Sequence, residues 1–141
     1  MNLYFAYGSN MWLKQMQDRC PDHRLVGSGV LKTYLWIISS RGYANIVKSA
    51  PNMVLGVVYE ISDSDERNLD RYEGVTIGSY RKELLSVEVD DTPATCVVYV
   101  DPIQDEGLPK PEYIRRINKG IQDAKLPPEY VRSSIRRFIP E

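Results

Sequence analysis

The chain has 141 residues, 43% of them hydrophobic, a net charge of −1, one histidine and two cysteines. That length and composition fit one domain, residues 1–141, with enough apolar material for a core, and the near-neutral charge excludes a general pull toward nucleic acid or membrane. No apolar run approaches the roughly 18 residues of a membrane helix, the N-terminus lacks the pattern of a signal peptide, and Cys20 and Cys96 form no CxxC, so a reducing, cytoplasmic setting is expected.

Residues 3–7 are aromatic and apolar, which predicts a buried first strand, broken by Gly8 and Ser9 before a segment of helical composition over residues 10–19. Cys20-Pro21-Asp22 ends that helix. Residues 24–31 and 33–39 read as strands, Arg41-Gly42 as a turn and residues 43–47 as a short strand. Residues 53–61 are β-rich, and Ser62 with Asp65 forms a capping pattern for a helix running through Leu69 and Tyr72 to a stop at Gly74. Residues 80–89 and 94–100 read as strands joined at Asp90-Asp91, followed by a loop over residues 101–110. Pro111 suits a first helical position, with Tyr113, Ile114, Ile117 and Ile121 as an apolar stripe. A further helix starts near Pro127-Pro128 and turns Tyr130, Val131, Ile135 and Phe138 inward. Six or seven strands and three or four helices, not strictly alternating, predict an α+β domain with a barrel-like mixed sheet. Residues 111–141 carry seven basic and four acidic side chains, which read as a solvated helical face because no stacking aromatics are interleaved with them.

The residue inventory narrows the chemistry. His23 is the only histidine, which argues against histidine-dependent triads, and no HExxH, EF-hand or Gly-rich nucleotide pattern occurs, so a metal site would have to rest mainly on carboxylates or on the distant cysteines. Tyr7-Gly8-Ser9-Asn10 stands out. A glycine between a strand and a helix lets backbone N–H groups approach a ligand, and the helix start adds unpaired donors suited to a carboxylate. An ordinary turn with Ser9 as a helix cap would also account for these residues. In Leu69-Asp70-Arg71-Tyr72-Glu73-Gly74, a carboxylate sits immediately before a helix-stopping glycine, where the helix dipole disfavours negative charge by about 0.3–1 kcal/mol. A tolerated, exposed glutamate is the plain alternative; a local inconsistency of this kind also marks functional sites.

Together, Phe5-Ala6-Tyr7-Gly8-Ser9-Asn10-Met11 and Leu69-Asp70-Arg71-Tyr72-Glu73-Gly74, followed by Tyr80, resemble the γ-glutamylcyclotransferase family. The likeness continues through Gly56-Val57-Val58-Tyr59, Val98-Tyr99, Pro111-Glu112-Tyr113 and Leu126-Pro127-Pro128-Glu129-Tyr130, over nearly the whole chain. It implies a small mixed β-barrel flanked by helices. It also implies a cofactor-independent enzyme that cyclises the γ-glutamyl group of small-molecule γ-glutamyl amino acids or dipeptides to 5-oxoproline and frees the amine. By the same likeness Glu73 is the proton-transfer residue, and Tyr7, Gly8 and Ser9 hold the substrate. Asn10 after Ser9, where glutathione-specialised relatives carry leucine or similar, favours the γ-glutamyl-amino-acid branch.

The chemistry agrees with these roles. Cyclisation requires the substrate's α-amino group to lose a proton before it attacks its own γ-carbonyl, so a general base is needed. Glu73 would serve best with a pKa raised by partial burial to about 6–7. The turn's N–H groups would hold either the α-carboxylate or the γ-carbonyl oxygen, with Asn10 adding a side-chain donor. Tyr80, Tyr99 and Tyr4 are further candidates for pocket hydrogen bonds, alongside a plain packing role. Residues 40–52 and 101–110 are the expected leaving-group loops, and their sequences carry no readable code. Removal of a γ-glutamyl group from a lysine side chain or a biosynthetic intermediate is the nearest rival, and a non-catalytic ligand- or RNA-binding module on the same barrel is the alternative of another class. No motif sets an oligomeric state.

Overall fold

A computed structural model describes the whole chain, Met1–Glu141. Five strands, β1 (Asn2–Ala6), β2 (Arg24–Ile38), β3 (Ala44–Ile61), β4 (Arg81–Val89) and β5 (Thr92–Val100), close into a barrel in the order β1-β3-β2-β4-β5. All neighbouring pairs are antiparallel except β1 with β5, whose parallel pairing at Tyr4 and Val97 closes the ring and makes the sheet mixed. The helices are α1 (Leu13–Arg19), α2 (Asp63–Tyr72), α3 (Pro111–Ala124) and a one-turn α4 (Pro128–Tyr130) that runs on as a π-turn over Val131–Ile135. No helix is long and apolar enough to cross a membrane.

Five strands replace the expected six or seven because two pairs of predicted strands each merge. Residues 24–31 and 33–39 form the single strand β2, whose pairing with β3 shifts register twice, at Val26 and at Thr33, whose φ is +69°. Across from it, Lys32 pairs with Met53 and Tyr34 with Lys48, so the intervening residues of β3, Pro51 among them, stand opposite Thr33 alone. Extra residues on one strand bend it and sharpen its twist, which suits a sheet that must curl into a small barrel. The predicted helix over residues 10–19 is also divided. Ser9–Met11 form a 3₁₀ turn, and Trp12 is extended before α1 begins.

Other boundaries follow local chemistry. The Ser62 hydroxyl accepts from the Asp65 N–H while the Asp65 carboxylate accepts from the Ser62 N–H, completing a capping box at the start of α2. Asp90 and Asp91 take left-handed conformations at φ +51° and +64°, as a two-residue hairpin turn between twisted strands requires. The core includes the fully buried Phe5, Trp36, Tyr59, Ile61 and Leu69. Gly56 lets β3 cross β1 closely: a Cβ there would fall 2.2 Å from the Ala6 carbonyl oxygen.

Candidate active site

Where β1 runs out into the Tyr7–Asn10 turn, the barrel mouth holds a narrow pocket that opens to solvent. Tyr4, Tyr7, Gly8, Ser9, Asn10, Tyr80, Tyr99 and Glu73, the residues singled out by sequence, all line it. The structure therefore brings together every one of them, from both ends of a chain separation of more than sixty positions.

The turn is pinned through its acceptors. The Tyr7 carbonyl accepts from Trp36 Nε1 at 2.8 Å, the Gly8 and Ser9 carbonyls from the N–H groups of Met11 and Trp12 at 3.1 and 3.0 Å, and the Asn10 carbonyl from the Tyr59 hydroxyl at 2.8 Å. With these carbonyls engaged, the Gly8 N–H has no acceptor within the fold, and the turn is left with donor character. Glycine at position 8 is also a matter of space: a Cβ would lie 3.0 Å from the Tyr113 hydroxyl and 3.1 Å from Ala44 Cβ. Ser9 is engaged by Gln15, whose amide donates to its hydroxyl at 2.7 Å. The Asn10 amide donates to the Tyr4 hydroxyl at 2.9 Å, and its oxygen accepts from Gln15 and Arg19 at 2.8 and 3.1 Å. Asn10 thus braces the turn from within.

Glu73 is the C-cap of α2, followed by Gly74 in the left-handed conformation at φ +65° that ends the helix. The barrel fixes this end. Lys82, on β4, reaches both Glu66 and Asp70 of α2 at 2.8 and 3.0 Å, and the Tyr99 hydroxyl donates to Asp70 at 2.7 Å. Burial raises the Glu73 carboxyl from its usual 4.5 to about 7, opposed by the positive charge of Arg19. The C-terminal end of the helix dipole acts in the same direction as burial. This carboxyl therefore exchanges its proton near neutrality, as a general acid/base requires.

Around it stand five tyrosines whose hydroxyls differ in what they can still offer. Tyr7 donates to the Tyr99 carbonyl, Tyr80 to the Ala44 carbonyl and Tyr99 to the Asp70 carboxylate, so each of these protons is committed and only oxygen lone pairs face the cavity. Tyr4 and Tyr113 instead accept, from the Asn10 amide and the Ala44 N–H respectively, and keep a proton to donate. Burial, with the Glu73 charge adding to it, holds the Tyr4 hydroxyl well above its ordinary range; Tyr80 and Tyr7 are raised by burial and by neighbouring phenols and Glu73 together. These phenols stay protonated near neutrality, leaving Glu73 as the group that titrates there.

Tyr113 was not among the site residues expected from sequence. Its position in the apolar stripe of α3 conceals its hydroxyl, and only the approach of α3 to the turn reveals it; Gly120 permits that approach, since a Cβ there would lie 3.1 Å from Met11 Cβ. A wider vestibule opens outside the cavity, with Glu73, Tyr80, Tyr113 and Ser9 at the junction. Of the two loops expected to form a leaving-group pocket, the first contributes Arg41 and Tyr43, whereas residues 101–110 contribute nothing. That loop is held instead against Ser39 and Ser40, where Ser40 donates to the Asp105 carbonyl and Gly107 to the Ile38 carbonyl. Arg116, one of the basic residues assigned to a solvated face, lines the vestibule. No cluster of three or more His, Cys, Asp or Glu side chains suited to a metal occurs.

The AIG2-like family model matches residues 53–133, the stretch holding Glu73, Tyr80, Tyr99 and Tyr113. The chain is 29% identical to a γ-glutamylcyclotransferase of Homo sapiens over 141 residues, covering 91% of this chain and 74% of that protein. It is 30% identical to one of Mus musculus over 139 residues, with the same coverage. A solved structure named γ-glutamyl cyclotransferase superposes with a TM-score of 0.89 at 27% identity, covering 99% of this chain and 89% of that one.

Proposed function

The chain belongs to the AIG2-like family, and from that premise we propose that it is a γ-glutamylcyclotransferase that converts the γ-glutamyl group of a small-molecule substrate to 5-oxoproline and releases the attached amine. The observation that carries this reading is a carboxyl poised at about 7 in the same cavity as a turn whose acceptors are engaged and whose Gly8 donor is free.

The substrate's α-ammonium gives a proton to the Glu73 carboxylate, and the freed amine attacks the γ-carbonyl carbon of the same molecule. A C–N bond forms and the carbonyl electron pair moves onto oxygen. Collapse of this tetrahedral species breaks the bond to the departing nitrogen, which takes the proton back from Glu73. The ring nitrogen, left positively charged by its attack, gives up its second proton through the same carboxylate, so that the amine departs as its ammonium form and the lactam is neutral. One carboxyl thus serves every transfer, and no net proton is lost. Because nucleophile and electrophile share a molecule, the remaining task is to fold the γ-glutamyl chain into a reactive conformer and to stabilise the developing oxyanion. Gly8 N–H, Tyr4 and Tyr113 supply donors for anionic oxygen. The lone pairs of Tyr7, Tyr80 and Tyr99 suit the α-ammonium. This division matches a substrate that carries both a cationic amine and anionic oxygens on one short chain.

The test is 5-oxoproline release from a panel of γ-glutamyl amino acids, glutathione and γ-glutamyl-ε-lysine, with Glu73→Gln in parallel. Turnover of at least one panel member and a loss of about 10²- to 10⁴-fold in the variant are expected. No product from any substrate would defeat the reading, and full activity in Glu73→Gln would remove Glu73 from its role.

A further inference from the structure

The charge pattern of the vestibule bears on which amine departs. Arg19, Arg41, Arg71 and Arg116 line it, and Glu73 is its one acid. The four arginines come from the end of α1, the β2–β3 connection, the end of α2 and the middle of α3. Two of them are already matched. Arg41 Nε lies 3.3 Å from the buried Asp101 carboxylate, and Arg116 makes a two-pronged pair with Glu112 at 2.7 and 3.0 Å.

Arg19 and Arg71 take part in no ion pair of the fold. Neutral groups hold them instead. Arg19 donates to the Asn10 amide oxygen at 3.1 Å and stacks 4.4 Å above the Tyr72 ring, while Arg71 donates to the Asn68 amide oxygen. Asp18, which shares a neighbouring shallow groove with both, is 70% exposed and 3.9 Å from Lys14. Arg71, with no acidic partner, and Arg19, whose only acid in the vestibule is Glu73, draw anions toward the mouth of the site and present forks that fit carboxylates.

We propose that Arg19 and Arg71 form a carboxylate-binding subsite for the leaving amine, so that the enzyme favours γ-glutamyl compounds whose leaving group carries two carboxylates, such as γ-glutamyl-glutamate. This rests on the cyclotransferase reading above. An ordinary amino-acid leaving group brings one carboxylate, beside the departing nitrogen, and a second matches the second cation. The γ-glutamyl group's own α-carboxylate is common to all substrates and cancels when leaving groups are compared.

The experiment measures kcat and KM for 5-oxoproline release from γ-glutamyl-glutamate, γ-glutamyl-alanine and γ-glutamylethylamide, whose leaving groups carry two, one and no carboxylates. In the wild-type protein kcat/KM falls about tenfold for each carboxylate removed, mainly through KM, and about 0.5 M salt compresses the series. Arg71→Gln brings the glutamate-to-alanine ratio close to one, and Arg71→Glu inverts it. Equal kcat/KM for all three substrates in the wild-type protein, or an undiminished ratio in Arg71→Gln, overturns the subsite while leaving the reaction in place. Absence of 5-oxoproline from all three overturns the reaction and the subsite with it. The wild-type series decides the matter even where a variant fails to fold.

Discussion

Replacing Glu73 by glutamine should make the protein more stable, and by an amount that depends on pH. The unfolded chain releases the Glu73 proton near 4.5, whereas the fold retains it to about 7. Between those values the native state binds more protons than the unfolded one, so stability falls as pH rises, the reverse of the usual behaviour of a salt-bridged carboxylate. Above the folded value the loss levels off. At about 1.4 kcal/mol per pH unit, the rise corresponds to roughly 3 kcal/mol at pH 8 and above, and to under about 1 kcal/mol near pH 5. Glutamine keeps the shape and removes the charge, so Glu73→Gln should exceed the wild-type protein by about those amounts. Urea unfolding followed by tryptophan fluorescence, at pH 5 and pH 8.5, reads the difference directly. Stability curves that run parallel across that range would mean that Glu73 ionises as easily in the fold as in the unfolded chain, and would remove the physical basis for its role as a base.

The same titration should govern catalysis: kcat/KM rises with pH through an apparent value near 7 as Glu73 becomes able to accept a proton, and a flat profile from pH 5.5 to 8.5 would contradict this. Gly8→Ala places a methyl 3.0 Å from the Tyr113 hydroxyl and 3.1 Å from Ala44 Cβ; a loss of about 1–2 kcal/mol in unfolding experiments and at least a tenfold loss of kcat/KM are expected. Among the phenols, Tyr4→Phe and Tyr113→Phe each remove a free donor and should lower kcat by about tenfold or more. Tyr4→Phe also strands the Asn10 amide at a cost of about 1 kcal/mol, so thermal unfolding separates its two effects; wild-type kcat in both variants would exclude these hydroxyls from oxyanion stabilisation.

What could be read from the sequence was what short stretches of chain decide. The Ser62–Asp65 box, the Gly74 stop and the Asp90-Asp91 turn each depend on a few consecutive residues, and all occur as expected. Glu73 stood out because its conflict with the helix dipole is local. Strand merging was hidden, since the chain passes through Thr33 with a register shift against β3 rather than a turn, and only pairing with β3 shows that the strand continues. Tyr113 was concealed by an apolar stripe that places it in the core and at the site at once. The vestibule arginines are spread over four elements, and no spacing along the chain relates them. The division of the phenols into donors and acceptors is less visible still, for it depends on which carbonyl each hydroxyl meets across the barrel.

The parallel seam between β1 and β5 has a consequence for how activity arises during folding. The β2–β3 and β4–β5 hairpins join neighbouring stretches of chain and can zip early, whereas β1 must find β5 some ninety residues away, a late step on loop-closure grounds. Tyr4 is the seam residue of β1, and the Tyr7 hydroxyl bonds the Tyr99 carbonyl just beyond it. Docking of α3, which supplies Tyr113, draws on a still later part of the chain. Closing the ring and building the candidate cavity are therefore one event, and a partly folded chain has no primitive version of it. Recovery of turnover after dilution from denaturant should lag the first return of β-structure and coincide with the slowest structural phase.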